Sequence, residues 1–140
     1  MTVVIDSTML TCLVSGDGRV GIVSRQLNRW FRDEVTVHAP ALISFEIADF
    51  LSNLVAAERL SIAQVSRVWS DLAGMSIEYH LLKNVSRVVE IAAELGHSDG
   101  FNAAYLALGE ELGAPLWTLN RRLHRRASKS GFRVIQPSPP

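Results

Sequence analysis

The sequence predicts an α/β fold in which helices cover both faces of a parallel sheet. Short apolar runs alternate along the chain with longer segments whose apolar residues recur at helical spacing. The first run, Val3 to Ile5, passes straight into Asp6, which is typical of a fully buried strand that ends at a sheet edge. The chain has 140 residues, of which 48% are hydrophobic and 20% charged, as expected for one globular domain.

The remaining elements follow in a regular order. We predict strands over residues 3–5, 35–37, 76–80, 114–118 and 132–135, from short runs rich in β-branched and aromatic side chains. We predict helices over residues 9–14, 19–34, 41–58, 61–74, 84–95 and 97–112, and a last short basic helix after Asn120. Pro40 is expected at the start of the third helix, and Gly96 and Gly113 end two later ones. These elements form a single domain over residues 1–135, followed by a disordered tail over residues 136–140.

Composition excludes several classes of protein. The net charge is +0, so no global field attracts the chain to nucleic acid or to a membrane surface. Its one cysteine, Cys12, allows neither an intramolecular disulfide nor a Cys-rich zinc site, which fits a reducing compartment. The N-terminus does not resemble a signal peptide, and no apolar run reaches 18 residues. We therefore expect a soluble, cytoplasmic protein with no membrane partner.

Several polar side chains are predicted to converge at one edge of the sheet. Asp6 and Asn120 each follow a buried strand, Glu46 interrupts an apolar helix, and Asp99 and Asn102 lie one turn apart. Clustered carboxylates repel one another unless a cation holds them, and Mg²⁺ or Mn²⁺ prefers such oxygen ligands. Those ions also promote hydrolysis of phosphodiesters.

Simpler interpretations of the same residues stay open at this point. Asp6 or Ser7, Ser98 with Asp99, and Asn120 are all suited to starting the helix that follows them. Glu46 could instead flank the apolar stripe of its helix in solvent, as is expected of Asp49.

Four segments taken together resemble PIN domains, in particular the VapC-type ribonuclease toxins of toxin–antitoxin pairs. They are residues 3–8, 40–46, 102–108 and 111–123, and the resemblance extends over essentially residues 1–135. It implies a three-layer α/β/α sandwich with a central parallel sheet. It also implies Mg²⁺- or Mn²⁺-dependent endoribonuclease activity, a homodimer, and inhibition by a small cognate antitoxin.

The resemblance assigns roles residue by residue. Asp6 matches the first acid of the family and Glu46 the second, whereas Asn102 and Asn120 stand where a third acid and a fourth acid or asparagine are usual. Asp99, one turn before Asn102, is the candidate substitute. We therefore predict Asp6, Glu46 and Asp99 as catalytic, metal-binding residues. The supporting polar residues are Asn102, Asn120, Thr118 and Ser7. A site with fewer charges is expected to bind metal more weakly.

A basic segment near the C-terminus fits an RNA substrate. Six of the 14 Lys and Arg residues lie after residue 120, and no Asp or Glu follows Glu111. The predicted phosphate-binding residues are Arg121, Arg122, Arg125 and Arg126. The same arginines could meet the acidic tail of an antitoxin.

The four histidines show no metal-ligand spacing and are interpreted as structural or exposed; they are His38, His80, His97 and His124. Three functional hypotheses remain: an active ribonuclease toxin, a degenerate PIN protein that binds RNA or an antitoxin without cleavage, and another metal-dependent phosphodiesterase or DNA nuclease on the same fold.

Overall fold

A computed structural model describes residues 1–96 and 100–139. Within them the chain forms five strands and seven helices. The strands are β1 (Thr2–Ile5), β2 (Thr36–Pro40), β3 (Ile77–His80), β4 (Leu116–Trp117) and β5 (Val134–Ile135). The helices are α1 (Ser7–Ser15), α2 (Val20–Arg32), α3 (Leu42–Ala56), α4 (Ile62–Ala73), α5 (Val85–Glu94), α6 (Gly100–Leu112) and α7 (Arg121–Lys129).

All five strands are parallel and pair in the order β3-β2-β1-β4-β5. The N-terminal strand β1 is therefore central, pairing with β2 on one side and with β4 on the other. Val3, Val4 and Ile5 are each at most 1% exposed, as the apolar run predicted. A strand buried on both faces needs helices above and below it, which is the setting of a parallel sheet.

The helices form the two outer layers of a three-layer α/β/α fold. Right-handed crossovers place the helices between β1 and β3 on one face and those after β3 on the other. The packing agrees, because α1 contacts α2 and α3, whereas α5 contacts α6 and α6 lies against β1, β2 and β4. The carboxyl ends of β1 and β4 thus meet at one edge, with the starts of α1 and α7 directly after them.

Within the described residues the predicted elements are confirmed with small shifts of their ends, except at Pro40. The predicted helix start at residues 97–99 lies outside the described residues. The sequence predicted that Pro40 begins a helix, but it is the last residue of β2, opposite His80 of β3. A proline at a strand terminus removes only one donor from the ladder. The next N–H, that of Ala41, donates to the His80 carbonyl at 2.8 Å, so the pairing continues past Pro40 and α3 starts only at Leu42.

Two further features complete the description. Residues 136–139 follow β5 without regular secondary structure. No helix in the described part of the chain is long and apolar enough to cross a membrane.

Candidate active site

Asp6 lies at the carboxyl edge of the sheet, between the ends of the two central strands. Ile5 is in register with Trp117, and the Asp6 N–H donates to the Trp117 carbonyl at 3.2 Å. The Asp6 side chain is directed into this junction and is only 3% exposed. It also caps α1, since its Oδ1 accepts the Thr8 N–H at 3.0 Å. The helix-cap interpretation of Asp6 is therefore correct, and it coexists with burial among the other polar residues of this edge.

Two threonine hydroxyls hold the Asp6 carboxylate. The Thr8 hydroxyl donates to Oδ1, and the Thr118 hydroxyl donates to Oδ2. Each hydroxyl in turn accepts a backbone N–H, from Leu119 to Thr8 at 2.9 Å and from Asn120 to Thr118 at 3.0 Å. Because those N–H groups occupy the hydroxyl lone pairs, the hydroxyl protons are oriented towards Asp6.

Burial dominates the electrostatics of Asp6. It raises the pKa of the Asp6 carboxyl to about 6, although the hydrogen bonds from Thr118 and Thr8 act in the opposite direction. No Lys or Arg in the described ranges forms an ion pair with Asp6. At neutral pH the protein therefore buries a carboxylate that only neutral donors compensate.

A second carboxylate reaches the same region from α3. The Tyr105 hydroxyl of α6 donates to Glu46 Oε1 at 2.5 Å, and Tyr105 is 1% exposed. Burial raises the pKa of the Tyr105 hydroxyl, and the hydrogen bond to Glu46 and the negative charges of Glu46 and Asp6 raise it further. A side-chain hydrogen bond with Ser7 opposes that shift. Tyr105 is thus a neutral donor that connects Glu46 to the Asp6–Ser7 end of β1.

The two asparagines occupy different settings. Asn102 lies one turn before Tyr105 on α6, on the neighbouring part of the helix surface, and is half-buried. Asn120 is the N-cap of α7, its Oδ1 accepting the Leu123 N–H at 3.0 Å. Its backbone also positions Thr118, so Asn120 acts on Asp6 indirectly. Asp99 and His97 lie outside the described residues.

The predicted phosphate-binding arginines begin α7 immediately after Asn120. Arg121, Arg122 and Arg125 are exposed, whereas Arg126 is half-buried and has a partner. Helix α7 therefore presents these three arginines to solvent, and Lys129 in its last turn as well. Arg121 and Arg122 lie in the first turn, next to the carboxylate edge.

The residues present fit a hard divalent cation. Asp6 offers a buried carboxylate that pairs with no Lys or Arg of residues 1–96 and 100–139, and Glu46 offers a second one whose position is fixed by Tyr105. Asn102 adds a carboxamide on the same helix as Tyr105. Carboxylate and carboxamide oxygens are the ligands that Mg²⁺ and Mn²⁺ prefer.

Sequence reasoning missed two contributors to this site, Thr8 and Tyr105. Thr8 acts on Asp6 within the first turn of α1, a local signal that the Asp-x-Thr spacing carries. Tyr105 lies within a segment that supported the resemblance, but no role was assigned to it. Its partner Glu46 is 59 residues away, so only the fold reveals the contact.

The structure also joins two of the histidines that looked unrelated in the sequence. His38 Nδ1 lies 2.8 Å from His80 Nε2 and 3.4 Å from Glu78 Oε2. The 42 residues between the histidines hide this contact from any spacing rule. The parallel register of β2 and β3 creates it, because His38 pairs with Glu78 and Pro40 with His80.

Comparison with known proteins identifies the fold. No protein-family model and no curated protein matches the sequence. Among solved structures, PAE2754 from Pyrobaculum aerophilum is similar with a TM-score of 0.68 at 19% identity, over 97% of this chain and 92% of that one. VapBC2 from Rickettsia felis, bound to a DNA fragment from their promoter, is similar with a TM-score of 0.70 at 10% identity, over 99% of this chain and 100% of the matched one. The protein therefore has the PIN-like three-layer α/β/α fold with a parallel sheet that the sequence resemblance implied.

Proposed function

We propose that this protein is a divalent-metal-dependent endoribonuclease and the toxin of a toxin–antitoxin pair. The observation that carries the proposal is the buried Asp6 carboxylate, which two threonine hydroxyls orient and no cation in the described part of the chain neutralises. A protein that maintains such a group at a sheet edge loses stability unless a ligand compensates it. The PIN-like fold and the likeness to a VapBC structure support the family assignment.

In the proposed site, Asp6 and Glu46 would hold the ion, with Asn102 in support. Asp99 is proposed as a further ligand on the sequence resemblance alone. A bound Mg²⁺ or Mn²⁺ supplies activation of water and neutralisation of charge on the phosphate. Thr8 and Thr118 keep both Asp6 oxygens in fixed directions, and Tyr105 fixes Glu46. The Asn120 N–H donates to the Thr118 hydroxyl, and Asn120 is the N-cap of the basic helix α7.

The proposed RNA-binding surface is the exposed face of α7. Arg121, Arg122 and Arg125 would bind phosphates that flank the scissile bond, since the helix starts directly beyond Asn120. Their positive charge offsets the repulsion between the carboxylate edge and an anionic backbone. RNA is preferred as the substrate because of the family likeness, and the same assay performed with DNA tests the alternative nuclease.

The proposed antitoxin would cover an apolar groove between β3, α5 and α6. This groove has a volume of about 820 Å³ and is lined by Leu81, Leu82 and Phe101, which are 79%, 55% and 61% exposed. Exposed apolar side chains of this size are typical of a surface that a partner covers. The R. felis neighbour is a VapBC protein, which supports a small antitoxin as that partner. A homodimer remains a prediction from the resemblance.

Metal-dependent RNA cleavage tests the enzymatic proposal. Purified protein should cleave RNA with Mn²⁺ or Mg²⁺ and stop in excess EDTA. Asp6→Asn should lower the rate by about a thousandfold, because several kcal/mol of charge stabilisation is lost at about 1.4 kcal/mol per tenfold. Asp49→Asn is the matched control, since Asp49 is an exposed carboxylate on α3, three residues from Glu46. Equal cleavage by wild type and Asp6→Asn would refute the assignment.

The degenerate alternative has its own supporting observation. Asn120 uses its side-chain oxygen to cap α7, and Asn102 carries no charge, so two positions of the family pattern contribute no negative charge. RNA binding by the wild-type protein without metal-dependent cleavage at any Mn²⁺ concentration would favour that reading. Growth arrest on expression, reversed by the product of a neighbouring reading frame, would favour the active toxin.

A further inference from the structure

We propose that His38, Glu78 and His80 form a second metal site, selective for Zn²⁺ or a similar transition ion, at the β2–β3 edge of the sheet. The three side chains share one face because His38 and Glu78 are register partners and His80 follows Glu78 by two residues on β3. One donor atom from each lies within 4.8 Å of the other two. None of the three belongs to the carboxylate set around Asp6.

The distances are close to those that coordination needs. Donor atoms bound tetrahedrally to zinc at about 2.0–2.1 Å lie about 3.3 Å apart. His38 Nδ1 and Glu78 Oε2 are 3.4 Å apart, and His38 Nδ1 and His80 Nε2 are 2.8 Å apart. The two rings need to separate by about 0.5 Å to admit an ion between them, a displacement that the half-buried His80 side chain at the sheet edge permits.

The type of donor determines the type of metal. Two imidazoles and one carboxylate form a recognised zinc ligand set, which leaves a fourth position for water or another ligand. Imidazole nitrogen is a poor ligand for Mg²⁺ and a good one for Zn²⁺, Ni²⁺ and Cu²⁺. The proposed site and the Asp6 site would therefore select different ions from the same solution.

The ring protons of His38 and His80 can be arranged so that both imidazoles coordinate a metal. In the metal-free pair one ring nitrogen donates its hydrogen to the other, so one proton lies between His38 Nδ1 and His80 Nε2. That proton moves to the outer nitrogen of its own ring through solvent when the metal binds. Each neutral imidazole then keeps one proton and directs one lone pair at the ion, and Glu78 supplies a negative charge.

The surroundings suggest what such an ion would do. β3 is an edge strand, and the three ligands connect it to β2 side by side. The His80 carbonyl accepts the Ala41 N–H just before α3, the helix that carries Glu46. Zinc bound here would fix both the edge strand and the start of α3, and His80 would present the open position to the apolar groove.

The test is zinc binding by untagged, chelator-treated full-length protein in an Asp6→Asn background, which removes the principal acid of the other site. Competition with a chromophoric chelator should give one zinc per chain that excess Mg²⁺ does not displace. His80→Ala and Glu78→Gln should each weaken binding by about a hundredfold or more, since even the loss of an outer-shell partner costs 10–100-fold. His124→Ala and Glu90→Gln, side chains of the same type elsewhere on the surface, should bind as the background does.

Two further readouts separate metal binding from folding. Co²⁺ should give the visible absorption of a tetrahedral site in the background protein and in His124→Ala, but not in His80→Ala. Zinc at a hundred times its dissociation constant should raise the folded-to-unfolded ratio about a hundredfold in the background and leave His80→Ala unchanged. Glu78 is 68% exposed, so Glu78→Gln is expected to fold even if substitution of buried His38 does not.

The outcome that overturns the proposal is equally definite. Zinc affinity that is unchanged in His80→Ala and Glu78→Gln, or zinc that Mg²⁺ displaces from the background protein, would leave the two histidines as a hydrogen-bonded pair only. Neither result affects the ribonuclease proposal, because the RNA assay depends on Asp6 and not on His80.

Discussion

Two groups of carboxylates in this protein are compensated in different ways. On the surface of α5 and α6, Arg87 contacts three glutamates: Glu110 at 2.7 Å, Glu90 at 3.1 Å and Glu94 at 3.5 Å. The hydrogen bonds that Arg87 donates lower the pKa of Glu110, and the same bonds to Glu110 and Glu90 raise the pKa of Arg87. There the chain supplies its own cation.

At the carboxyl edge of the sheet, no Lys or Arg in the described ranges forms an ion pair with Asp6. Asp6 is far more buried than any of those glutamates, and its partners are the neutral Thr8 and Thr118 hydroxyls. The pKa of Asp6 is accordingly raised to about 6, whereas that of Glu110 falls. Burial of this carboxylate costs the fold stability, and the proposed metal would supply the positive charge that no described Lys or Arg provides.

The largest expected effect on the free energy of unfolding is that of Asp6→Asn in the absence of metal. In the folded protein the Asp6 pKa is about 6, above its ordinary value of 3.8, so ionisation costs free energy only in the folded state. Below about pH 4 both states are protonated and the penalty is absent, whereas above about pH 6 it is complete. At 1.36 kcal/mol per pKa unit it amounts to about 3 kcal/mol. Urea unfolding in EDTA should therefore show Asp6→Asn gaining about 3 kcal/mol relative to wild type between pH 4 and pH 7.

The exposed Asp49 provides the control for that measurement. Asp49→Asn should not reproduce the gain of about 3 kcal/mol, because the Asp49 side chain is exposed and burial does not penalise its charge. Adding Mn²⁺ at pH 7 should stabilise wild type and not Asp6→Asn. A stability difference for Asp6→Asn that does not change with pH would mean that burial of this carboxylate costs the fold nothing.

A smaller effect is expected from Tyr105→Phe, which removes the hydroxyl that holds Glu46 and keeps the ring in the core. We expect cleavage to fall about 10- to 100-fold, as is usual when the partner of a metal ligand is lost. The Mn²⁺ concentration for half-maximal activity should rise at the same time. The protein has only two tyrosines, and Tyr79→Phe at the 44% exposed Tyr79 is the matched control. An unchanged Mn²⁺ requirement in Tyr105→Phe would remove Tyr105 from the site.

The smallest effect is expected from Arg87→Gln. It deprives three surface glutamates of their cation, yet they stay hydrated and repel one another only weakly. Metal-dependent cleavage should not change. The small loss of stability should shrink as NaCl is raised, because salt screens the remaining repulsion. A loss in thermal denaturation that persists in 1 M salt would show that Arg87 contributes by packing rather than by charge.

The fold was predictable because its signals are local. The apolar run before Asp6, the helical spacing of Ile43, Ile47 and Leu51, and the glycines after α5 and α6 all act within a few residues. The prediction at Pro40 was wrong because the end of a strand depends on pairing with its neighbour as well as on the local propensity of its residues. Pro40 pairs with His80 of β3, and this tertiary contact extends β2 by a residue. The local sequence alone does not predict such a contact.

The site was only partly predictable, because most of the contacts that define it are not local. Asp6 ends a strand and was predicted from that position, and Glu46 was predicted from the resemblance. The contacts that define their environment join Thr118 to Asp6 across 112 residues and Tyr105 to Glu46 across 59. Such contacts depend on strand order and side-chain direction, and the spacing of residues along the sequence predicts neither.

The central position of β1 has a consequence for folding on the ribosome. Strand β1 gains its neighbour β4 only when the chain has reached residue 117, and β5 joins the sheet at residue 135. Contacts of such long sequence separation form late and slowly. A nascent chain that already contains Asp6 therefore needs a further 112 residues before Thr118 can contact it. Until then the Asp6 carboxylate lacks one of the two hydroxyls that orient it.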